Sequence, residues 1–395
     1  MTNKFKPYLS IYIHWPFCEM KCPYCDFNSH VRPEIDQERW KRALLSELAT
    51  ESNLYPNRRI SSLFFGGGTP SLMEPDTITA LLQAVDQYWG LGNDVEITLE
   101  ANPTSVEKTR FENFRSAGVN RLSIGAQSFD DNALKFLGRT HTAREVIAAL
   151  DIARTTFPRY SFDLIYCRPK QSMNSWKEEL TFALEFTNDH LSLYQLTLER
   201  GTPFFSSHRD KEFRMPSENT AASQYEYTRD VLSCAGLFPY EVSNHATPGE
   251  ECRHNLTYWR YGDYAGIGPG AHGRVSDSGY KSAYHRISNP EKWLLQTEKT
   301  GTGLQKKNKL TPQEILQEMV LMGLRLTEGL DLAEVKKQTG NPIENWVNPE
   351  TLMLLVEKDF LVFTENKLQA TQEGFLRLDS ITSKLLAELA YWPIS

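Results

Sequence analysis

The fold of this chain is decided by the stretch Tyr12-Ile13-His14-Trp15-Pro16-Phe17-Cys18-Glu19-Met20-Lys21-Cys22-Pro23-Tyr24-Cys25. It places three thiols close together, in the pattern Cys-x3-Cys-x2-Cys, directly after an apolar run that is typical of a β-strand. One short loop can therefore direct three thiolates at a single iron–sulfur cluster. Because a cubane cluster has four irons, three cysteines would leave one iron open to a small chelating ligand.

Two other chemistries are compatible with clustered thiols. A structural zinc site needs a fourth ligand at a matching spacing, and His30 is the nearest downstream candidate. A structural disulfide requires an oxidising compartment, and the segment from Met1 to Lys6 lacks the apolar run of an export signal. The spacing favours the iron–sulfur cluster over both alternatives.

The composition is that of a globular protein with two or three domains. Of 395 residues, 40% are hydrophobic and 24% are charged, and 43 basic against 50 acidic side chains give a net charge of −7. This acidic balance predicts no nucleic-acid partner. The remaining cysteines, Cys167, Cys234 and Cys252, are scattered. With no apolar run long enough to span a bilayer, these features predict a reducing, cytoplasmic compartment.

Short apolar runs alternate with amphipathic stretches between residues 10 and 200. The strand-like runs are Ile11–His14, Ile60–Phe65, Val95–Glu100, Arg121–Gln127, Tyr160–Tyr166 and His190–Leu198. The helix-like stretches are Ile35–Ser52, Asp76–Tyr88, Ser105–Ala117, Thr142–Thr155 and Ser175–Phe186, with the pairs Ser105/Glu107 and Thr142/Glu145 suited to helix capping. This alternation predicts an α/β fold with a parallel sheet and right-handed crossovers, curved into a partial (β/α)6 barrel.

Polar and glycine residues follow nearly every one of these strands. The cysteines follow the first strand, Gly66-Gly67-Gly68-Thr69-Pro70 the second, Glu100 ends the third, Gln127 the fourth, and Asp163 lies in the fifth. A glycine run is often a plain turn, and a buried acid is often a satisfied structural carboxylate. Parallel strands, however, end at one rim of a barrel, where barrel active sites lie. Together these residues predict a functional site beside the cysteines.

This combination resembles the radical S-adenosylmethionine (SAM) superfamily, in which the amine and carboxylate of SAM chelate the open iron. Reductive cleavage of SAM there gives a 5′-deoxyadenosyl radical. Nearly the whole chain is similar to the oxygen-independent coproporphyrinogen III oxidase family of that superfamily. The resemblance implies that Cys18, Cys22 and Cys25 hold a [4Fe–4S] cluster. It implies SAM contacts by Tyr12, Tyr24, Gly67, Gly68, Thr69, Glu100, Gln127, Arg139 and Asp163.

The segment from residue 240 to 273 is too rich in His, aromatic and Gly residues to be an ordinary linker. Histidine can ligate haem iron, and aromatic rings can line a porphyrin face. The alternative is a buttress that closes the barrel, with the rings as its core. The stretch His254-Asn255-Leu256-Thr257-Tyr258-Trp259 resembles the HNxxYW motif of the haem chaperone branch of the family. That resemblance implies haem contacts by His254, Tyr258 and Trp259. His245, His272 and Cys252 lie in the same region of the sequence and are competing candidates for the haem iron.

The C-terminal part predicts a separate α+β domain. The expected helices run from Thr311, with Pro312 at the first position, to Leu326, over Leu330–Thr339, over Pro349–Lys358 and from Thr371 to Ala390. Phe360–Thr364 and Lys367–Ala370 predict a hairpin. Three helices followed by a hairpin are typical of a winged-helix-like domain.

The region before this domain predicts less regular structure. Residues 274–310 are polar and are expected to form a loop with one short helix near Pro290–Glu298. The expected units are therefore residues 1–235 as the barrel, 236–305 as a connecting region with the HNxxYW motif, and 306–395 as the winged-helix-like domain.

Two branches of the family differ at positions that this sequence shows. The oxidase has a further cysteine in Cys-x3-Cys-x2-Cys-x-Cys, where this chain has Phe27, and a long N-terminal arm, where eleven residues precede Tyr12. Both departures match the haem chaperone branch, of HemW type, which is thought to hand haem to target proteins. That branch commonly has Gly-Leu-Pro-Gly where this chain has Cys167-Arg168-Pro169-Lys170, which puts the conformation of this loop in question, and Lys170-Gln171 resembles the oxidase.

The favoured hypothesis is a haem chaperone that keeps a SAM-ligated [4Fe–4S] cluster, binds haem and delivers it to apoproteins. Oxidase activity is expected to be absent. The runner-up is an oxygen-independent coproporphyrinogen III oxidase or another radical SAM enzyme of porphyrin metabolism. A third hypothesis, a non-catalytic scaffold, is disfavoured by the intact cysteine triad. A homodimer and contact with a membrane surface are left open by the sequence.

Overall fold

The computed structural model describes residues 6–104, 110–277, 279–387 and 389. The strands are β1 Tyr8–Trp15, β2 Phe17–Cys18, β3 His30–Val31, β4 Arg59–Gly67, β5 Glu96–Ala101, β6 Arg121–Gln127, β7 Arg159–Tyr166, β8 His190–Gln195, β9 Phe238–Pro239, β10 Asn244–Ala246, β11 Tyr264–Ile267, β12 His272–Asp277, β13 Tyr280–Arg286, β14 Leu304–Lys309, β15 Leu330–Asp331, β16 Leu361–Phe363 and β17 Lys367–Ala370.

The helices lie between these strands and in the C-terminal part. They are α1 Gln37–Leu54, α2 Pro75–Trp89, α3 Phe111–Ala117, α4 Asp131–Phe136, α5 Ala143–Thr156, α6 Met173–Leu184, α7 Pro203–Arg209, α8 Glu218–Cys234, α9 Arg253–Trp259, α10 Pro290–Thr300, α11 Pro312–Gly323, α12 Leu332–Thr339, α13 Pro349–Glu357, α14 Gln372–Phe375 and α15 Leu378–Ala387. Short 3-10 turns cover Pro70–Leu72 and Ile343–Asn345. Within the described ranges, none of the helices is long and apolar enough to cross a membrane.

The parallel strands β1, β4, β5, β6, β7 and β8 lie side by side in that order, with helices in the connections between them. The predicted parallel sheet of a partial barrel is therefore confirmed. The predicted capping box of α5 is also present, with Thr142 and Glu145 each accepting from the backbone of the other. Ser105 and Glu107, the other predicted capping pair, lie outside the described residues.

The alternation along β1 explains why the barrel interior is polar. Leu9 and Ile13 are fully buried on the outer face of the strand, and Trp15 on the same face packs edge-on against Trp40 of α1. The intervening side chains point to the opposite face, where the hydroxyl of Ser10 lies 2.8 Å from that of Ser62 on β4. The strand therefore presents apolar residues to the helices and hydrogen-bonding groups to the inside.

The sheet extends beyond the parallel strands on both sides. β11 joins β1 in parallel and continues into the antiparallel strands β12, β13 and β14, while β10 and β9 extend the sheet from β8. The expectation of a loop over residues 274–310 is therefore wrong, although its short helix is confirmed as α10. The sequence of these strands is polar because one face of this part of the sheet is exposed. The edge strand β14 carries three lysines, a composition that discourages edge-to-edge pairing.

A buried ionic network fastens this extension to α1. The side chain of Glu47 has no exposed surface, and its carboxylate accepts from the backbone N–H of Gly268 at 2.8 Å and of Gly303 at 2.6 Å. The indole N–H of Trp293 donates to the same carboxylate at 3.1 Å, and the buried guanidinium of Arg286 lies 3.5 Å from it. Breaking one side of such a network leaves a buried charge without its partner.

The C-terminal domain has its own hydrophobic core, around α11, α12, α13 and the three-stranded sheet β15-β17-β16. The predicted helix start at Thr311 is confirmed by a capping box with Glu314, and the predicted hairpin by the pairing of β16 with β17. The single last helix is wrong, because Thr371 caps a short turn in which Gly374 packs against the Phe360 carbonyl, before α15 begins. The division of the chain at residues 235 and 305 stays a prediction.

We expect Glu47→Ala to lower the free energy of unfolding by about 3–5 kcal/mol, because two backbone N–H groups and the indole N–H of Trp293 would lose their acceptor and Arg286 would keep only Glu51. Denaturant titration of the purified protein measures this difference. The control is Glu38→Ala on the same helix, whose exposed carboxylate pairs with Lys41 and should contribute less than about 0.5 kcal/mol. Equal losses in the two variants would contradict the role given to Glu47.

Candidate functional site at the carboxyl ends of the barrel strands

A cavity of about 920 Å³ opens where the parallel strands end. Its wall includes Cys18, Cys22, Cys25, Tyr24, Gly67, Gly68, Thr69, Glu100, Gln127, Arg139 and Asp163. These are the residues predicted to hold the cluster and SAM, apart from Tyr12. One side of the cavity is closed by residues 375–380 of the C-terminal domain.

The three cysteines lie at the end of β2 and on the loop that follows, all as free thiols at half-buried positions. The backbone N–H of Cys25 donates to the Cys22 carbonyl at 3.1 Å, which turns the loop. The hydroxyl of Thr69 donates to Sγ of Cys18 at 3.5 Å, and Nη1 of Arg139 donates to Sγ of Cys22 at 3.4 Å. Burial raises the pKa of Cys18, and the charges of the other two thiols raise it further, so the three sulfurs share one electrostatic environment.

Asn102 joins two of these contacts into one network. Its Nδ2 donates to Oγ1 of Thr69 at 3.1 Å, and its Oδ1 accepts from Arg139. A chain of hydrogen bonds therefore runs from Cys18 to Cys22 through three side chains. The sequence gives no role to Asn102, although its place directly after the third barrel strand is the signal that would have found it.

Asn28 ties the end of the cysteine loop to the extension of the sheet. Its side-chain amide donates to the Pro269 carbonyl at 2.9 Å, and its backbone carbonyl oxygen accepts from Nε2 of His14 at 2.9 Å. Gly268 has a φ of +97°, and a Cβ there would lie 2.4 Å from the His14 carbonyl oxygen. Gly270 has a φ of +80°, and a Cβ there would lie 2.4 Å from the side-chain amide nitrogen of Asn28. The glycine-rich segment is therefore a buttress that lets three parts of the backbone meet.

On the other side of the cysteine loop, Tyr24 packs against a small apolar cluster that includes Ile165 and Phe204. The backbone N–H of Phe204 donates to the Pro23 carbonyl at 3.0 Å. A Cβ at Gly138 would lie 2.5 Å from the ring of Pro23, so this glycine is required for the close contact. Packing on both sides therefore positions the thiols.

The glycines after β4 bring the cavity wall against the first strand. A Cβ at Gly67 would lie 2.5 Å from the imidazole of His14, and one at Gly68 would lie 2.6 Å from the Phe17 carbonyl oxygen. The N–H of Gly67 donates to Oε2 of Glu100 at 3.1 Å, and that of Gly68 donates to a β1 carbonyl at 2.7 Å. Their N–H groups are thus engaged within the protein, and the glycines shape the wall instead.

Two carboxylates, those of Glu100 and Asp163, belong to this wall. Burial, followed by the charge of Asp163, raises the pKa of Glu100 to about 8. Burial raises the pKa of Asp163 to about 6. Neither carboxylate forms an ion pair with the part of the chain that the structure describes. Acids whose pKa values are raised in this way at a cavity wall favour a bound cation, which would restore both to their charged forms.

Gln127 sits at a bend in the wall. The pairing of β6 with β7 shifts register between Ile124 and Gln127, and Gln127 has a φ of +69°. A residue other than glycine in this left-handed region is strained, and such strain is typical of functional sites.

The loop Cys167–Lys170 keeps the backbone that a Gly-Leu-Pro-Gly pattern would favour. Cys167 and Lys170, which replace the two glycines of that pattern, have φ of +55° and +65°. The buried guanidinium of Arg168 holds the loop by pairing with Glu179 and by donating to Oγ of Ser128 at 2.6 Å. The substitutions therefore add backbone strain of about 1–2 kcal/mol per residue without changing the turn.

Three residues of the HNxxYW motif lie away from the cavity wall. Nδ1 of His254 hydrogen-bonds to Oγ of Ser62 at 2.8 Å, and its Nε2 to the hydroxyl of Tyr258 at 2.5 Å. Its ring stacks on Phe64 with centroids 5.0 Å apart, and burial lowers the pKa of His254 to about 3. Both ring nitrogens have partners, so ligation of haem iron by His254 would require these hydrogen bonds to break.

Trp259 and the competing ligands have different surroundings. The guanidinium of Arg325, which lines the cavity, lies 4.7 Å above the ring of Trp259. His245 is buried, His272 stacks on a second histidine at the surface, and Sγ of Cys252 lies 3.5 Å from a buried glutamate. None of these predicted haem contacts is part of the cavity wall within the described residues.

Tyr12 lies inside the barrel, on the interior face of β1. Its hydroxyl hydrogen-bonds to Nδ1 of His14 at 3.0 Å. Burial raises the pKa of Tyr12, and the charge of Glu100 raises it further, which places the hydroxyl near that carboxylate. Tyr12 therefore supports the cavity wall from behind.

The donor set fits a [4Fe–4S] cluster with SAM. Three thiols stand on one positioned loop, and the neighbouring wall carries two half-buried acids suited to the ammonium, sulfonium or ribose of SAM. When bound, the cluster would supply the electron for SAM cleavage. For the zinc alternative, no three His, Cys, Asp or Glu side chains in the described ranges converge on a single metal ion, and His30 hydrogen-bonds to Asn28 at 3.1 Å.

Comparisons with known proteins agree with this geometry. Residues 12–183 match the radical SAM superfamily and residues 310–377 the HemN C-terminal domain. The chain is 40% identical to the mitochondrial radical S-adenosyl methionine domain-containing protein 1 of Bos taurus, over 96% of this chain and 88% of that protein. It is 36% identical to the heme chaperone HemW of Escherichia coli strain K12, over 97% and 99%.

A solved structure has the same fold. Coproporphyrinogen III oxidase (HemN) from Escherichia coli, described as a radical SAM enzyme, superposes with a TM-score of 0.81 over 96% of this chain and 90% of its own, at 23% identity. A cysteine loop at the mouth of a parallel barrel, within a matching domain, defines a radical SAM protein with a [4Fe–4S] cluster and SAM as cofactors. The similarity over nearly the full length is more specific, and the chain belongs to the HemW-type family of radical SAM proteins.

We expect Glu100→Gln to change how the stability of the cofactor-free protein depends on pH. The folded pKa of about 8 lies above the ordinary value of 4.5, so the stability that Glu100 contributes is complete below pH 4.5 and is lost as the pH rises through 8. The variant should therefore be more stable than wild type at alkaline pH, and the difference should vanish in acid.

Denaturant titrations at several pH values measure this difference. The control is Glu112→Gln, an exposed carboxylate on α3, which should follow the wild-type profile at every pH. If Glu100→Gln also follows the wild-type profile, the pKa of Glu100 is not raised in the folded protein, and no bound cation is needed to keep its carboxylate charged.

Proposed function

We propose that this protein is a haem chaperone that binds haem beside a SAM-ligated [4Fe–4S] cluster and delivers the haem to apoproteins. The observation that carries the proposal is a single cavity of about 920 Å³, with the cysteine loop on one side and the C-terminal domain on the other. Ligand pockets commonly have about 300–1,000 Å³, so this cavity is at the large end of that range. The relatives that are named heme chaperones support the assignment.

The half of the cavity that the C-terminal domain borders suits a flat apolar ligand. Tyr194, with 40% of its surface exposed, Tyr225, Phe375 and Leu378 contribute to its wall. Aromatic and aliphatic faces of this kind stack well on a porphyrin ring. We propose that haem occupies this half and SAM the half beside the cysteines.

Phe27 favours a chaperone over the oxidase. It stands where the oxidase has a further cysteine, and its ring is 59% exposed and borders the cavity. A phenyl ring has neither a titratable proton nor a thiol, so it can contribute packing but not the chemistry of a cysteine. The likeness to the oxidase structure shows the fold alone.

The HNxxYW motif has two possible parts in haem binding. Direct ligation by His254 remains a proposal that requires Ser62 and Tyr258 to release its ring. In the arrangement described, the motif contributes to the cavity through Trp259 and Arg325 instead. For the location, we propose the cytoplasm, where free thiols stay reduced. The recipient of the haem is an apoprotein.

Haem titration of the anaerobically reconstituted protein tests this function. A Soret band should develop with saturation, and an excess of apomyoglobin should then take the haem from the complex. Coproporphyrinogen III incubated with SAM and a reductant should keep its propionates. These results follow if the cavity holds a porphyrin without performing decarboxylation.

The control for this titration is Cys234→Ala, which removes an exposed thiol on α8 outside the cavity and should leave haem binding unchanged. It excludes capture of haem by a surface cysteine. A wild-type protein that binds no haem, or that decarboxylates coproporphyrinogen III with turnover, would reject the proposal.

A further inference from the structure

Arg325 is a cation of the cavity wall with a buried donor that the contacts above leave unused. It follows α11 in the C-terminal domain, next to Leu326, which forms a β-bridge with Glu241. Its Nη2 donates to Oε2 of Glu241 at 3.2 Å. Its Nε is buried and has no hydrogen-bond partner among the described residues. Such an orphaned N–H is costly unless a ligand or water accepts from it.

Trp259 packs against this guanidinium. The Cζ of Arg325 lies 4.7 Å from the centroid of the indole ring. A guanidinium that stacks on an aromatic face keeps its N–H groups available at its edge, in a geometry that matches a carboxylate. Trp259 does not line the cavity, whereas Arg325 does. The last residue of the HNxxYW motif therefore acts on the cavity through this side chain.

Glu241 has enough other donors to leave Arg325 available. Its Oε1 accepts from the Ser243 N–H at 2.8 Å and from Nδ2 of Asn244 at 2.6 Å. The buried carboxylate of Glu241 therefore does not depend on the guanidinium alone. Within the described part of the chain, neither Nη1 nor the buried Nε of Arg325 has a hydrogen-bond acceptor.

Arg325 lies apart from the wall predicted to bind SAM. Asp163 of β7 is in register with Ser192 of β8, and Ser192 is in register with Asn244 of β10. Glu241, the partner of Arg325, accepts from Asn244, so strand β8 separates this pair from the strand that carries Asp163. Arg325 lines the same cavity as Tyr225, Phe375 and Leu378 of the half assigned to haem.

We infer that Arg325, held by Trp259 and Glu241, binds a carboxylate of the ligand in this half of the cavity. For haem that group is a propionate. The inference rests on the proposed haem function and adds to it the residue that recognises the acid groups of the porphyrin. Paired N–H donors of one guanidinium bind a carboxylate more strongly and more specifically than a neutral donor does.

The alternative is a structural latch, in which Arg325 only joins the C-terminal domain to the barrel through Glu241. The two roles differ in their dependence on the charge of the ligand. Haem carries two propionates, whereas haem dimethyl ester has the same ring and iron without those charges. A latch would affect both ligands equally, and a carboxylate contact would affect only haem.

The experiment compares the affinities of both ligands, in the same detergent solution, for wild type, Arg325→Gln and Trp259→Leu. Arg325→Gln should weaken haem binding on the order of tenfold and leave the ester unchanged. Trp259→Leu should weaken haem binding in the same selective way, and Trp259→Phe should restore it. Arg274→Gln is the matched control, since Arg274 is a half-buried arginine paired with Glu318 of α11 and does not line the cavity.

The outcomes distinguish the role inferred for Arg325 from the proposed haem function. Equal losses for haem and its ester, or no loss of haem in Arg325→Gln, overturn the inference while the haem function stands. A wild-type protein without haem affinity removes the proposed function and the inference with it. If Arg325→Gln does not fold, the selective loss in Trp259→Leu and its rescue by Trp259→Phe decide the matter.

Discussion

The candidate site depends on holding three thiols in place, and we propose that these bind the cluster without a fourth ligand from the protein. An open iron is useful only if the loop that carries the cluster does not move to close it, so the surrounding chain must supply the rigidity. Here Pro23 of the loop packs closely against Gly138, and Asn28 ties the loop to the extension of the sheet. Arg139 adds a cation beside Cys22, where the thiolate needs one. These restraints come from elements far apart in sequence, which makes the fold itself the scaffold of the cluster.

The same fold explains why the cavity wall carries unpaired acids. The barrel strands turn their apolar side chains toward the helices, so the interior receives the polar ones. Glu100 and Asp163 then stand near each other in a place where burial disfavours their charges. A scaffold with only a structural task would gain stability from neutral residues there. The free-energy cost of placing these two carboxylates here is compatible with a site that binds a cationic cofactor.

The sequence was sufficient for the parts of the molecule that follow a local pattern. The spacing of the cysteines, the strand ends and the capping box at Thr142 are all readable without tertiary contacts. The strands β12 to β14 were missed because their exposed face makes them read as polar loop. The surroundings of His254 and the role of Arg325 were beyond reach for another reason. A sequence motif identifies residues, but it does not show which face of a helix each residue occupies. It also does not show which residues of another domain each one contacts.

The most direct test of the account is the electron paramagnetic resonance spectrum of the reduced, reconstituted cluster during titration with SAM. The account predicts a spectral change on SAM binding in wild type, since one iron is open beside the acidic wall. In Glu100→Gln, with the same iron and sulfide content, the change should require a higher SAM concentration, and in Cys22→Ala the cluster signal should be lost. An identical SAM dependence in Glu100→Gln, or a full cluster in Cys22→Ala, would contradict the central claim.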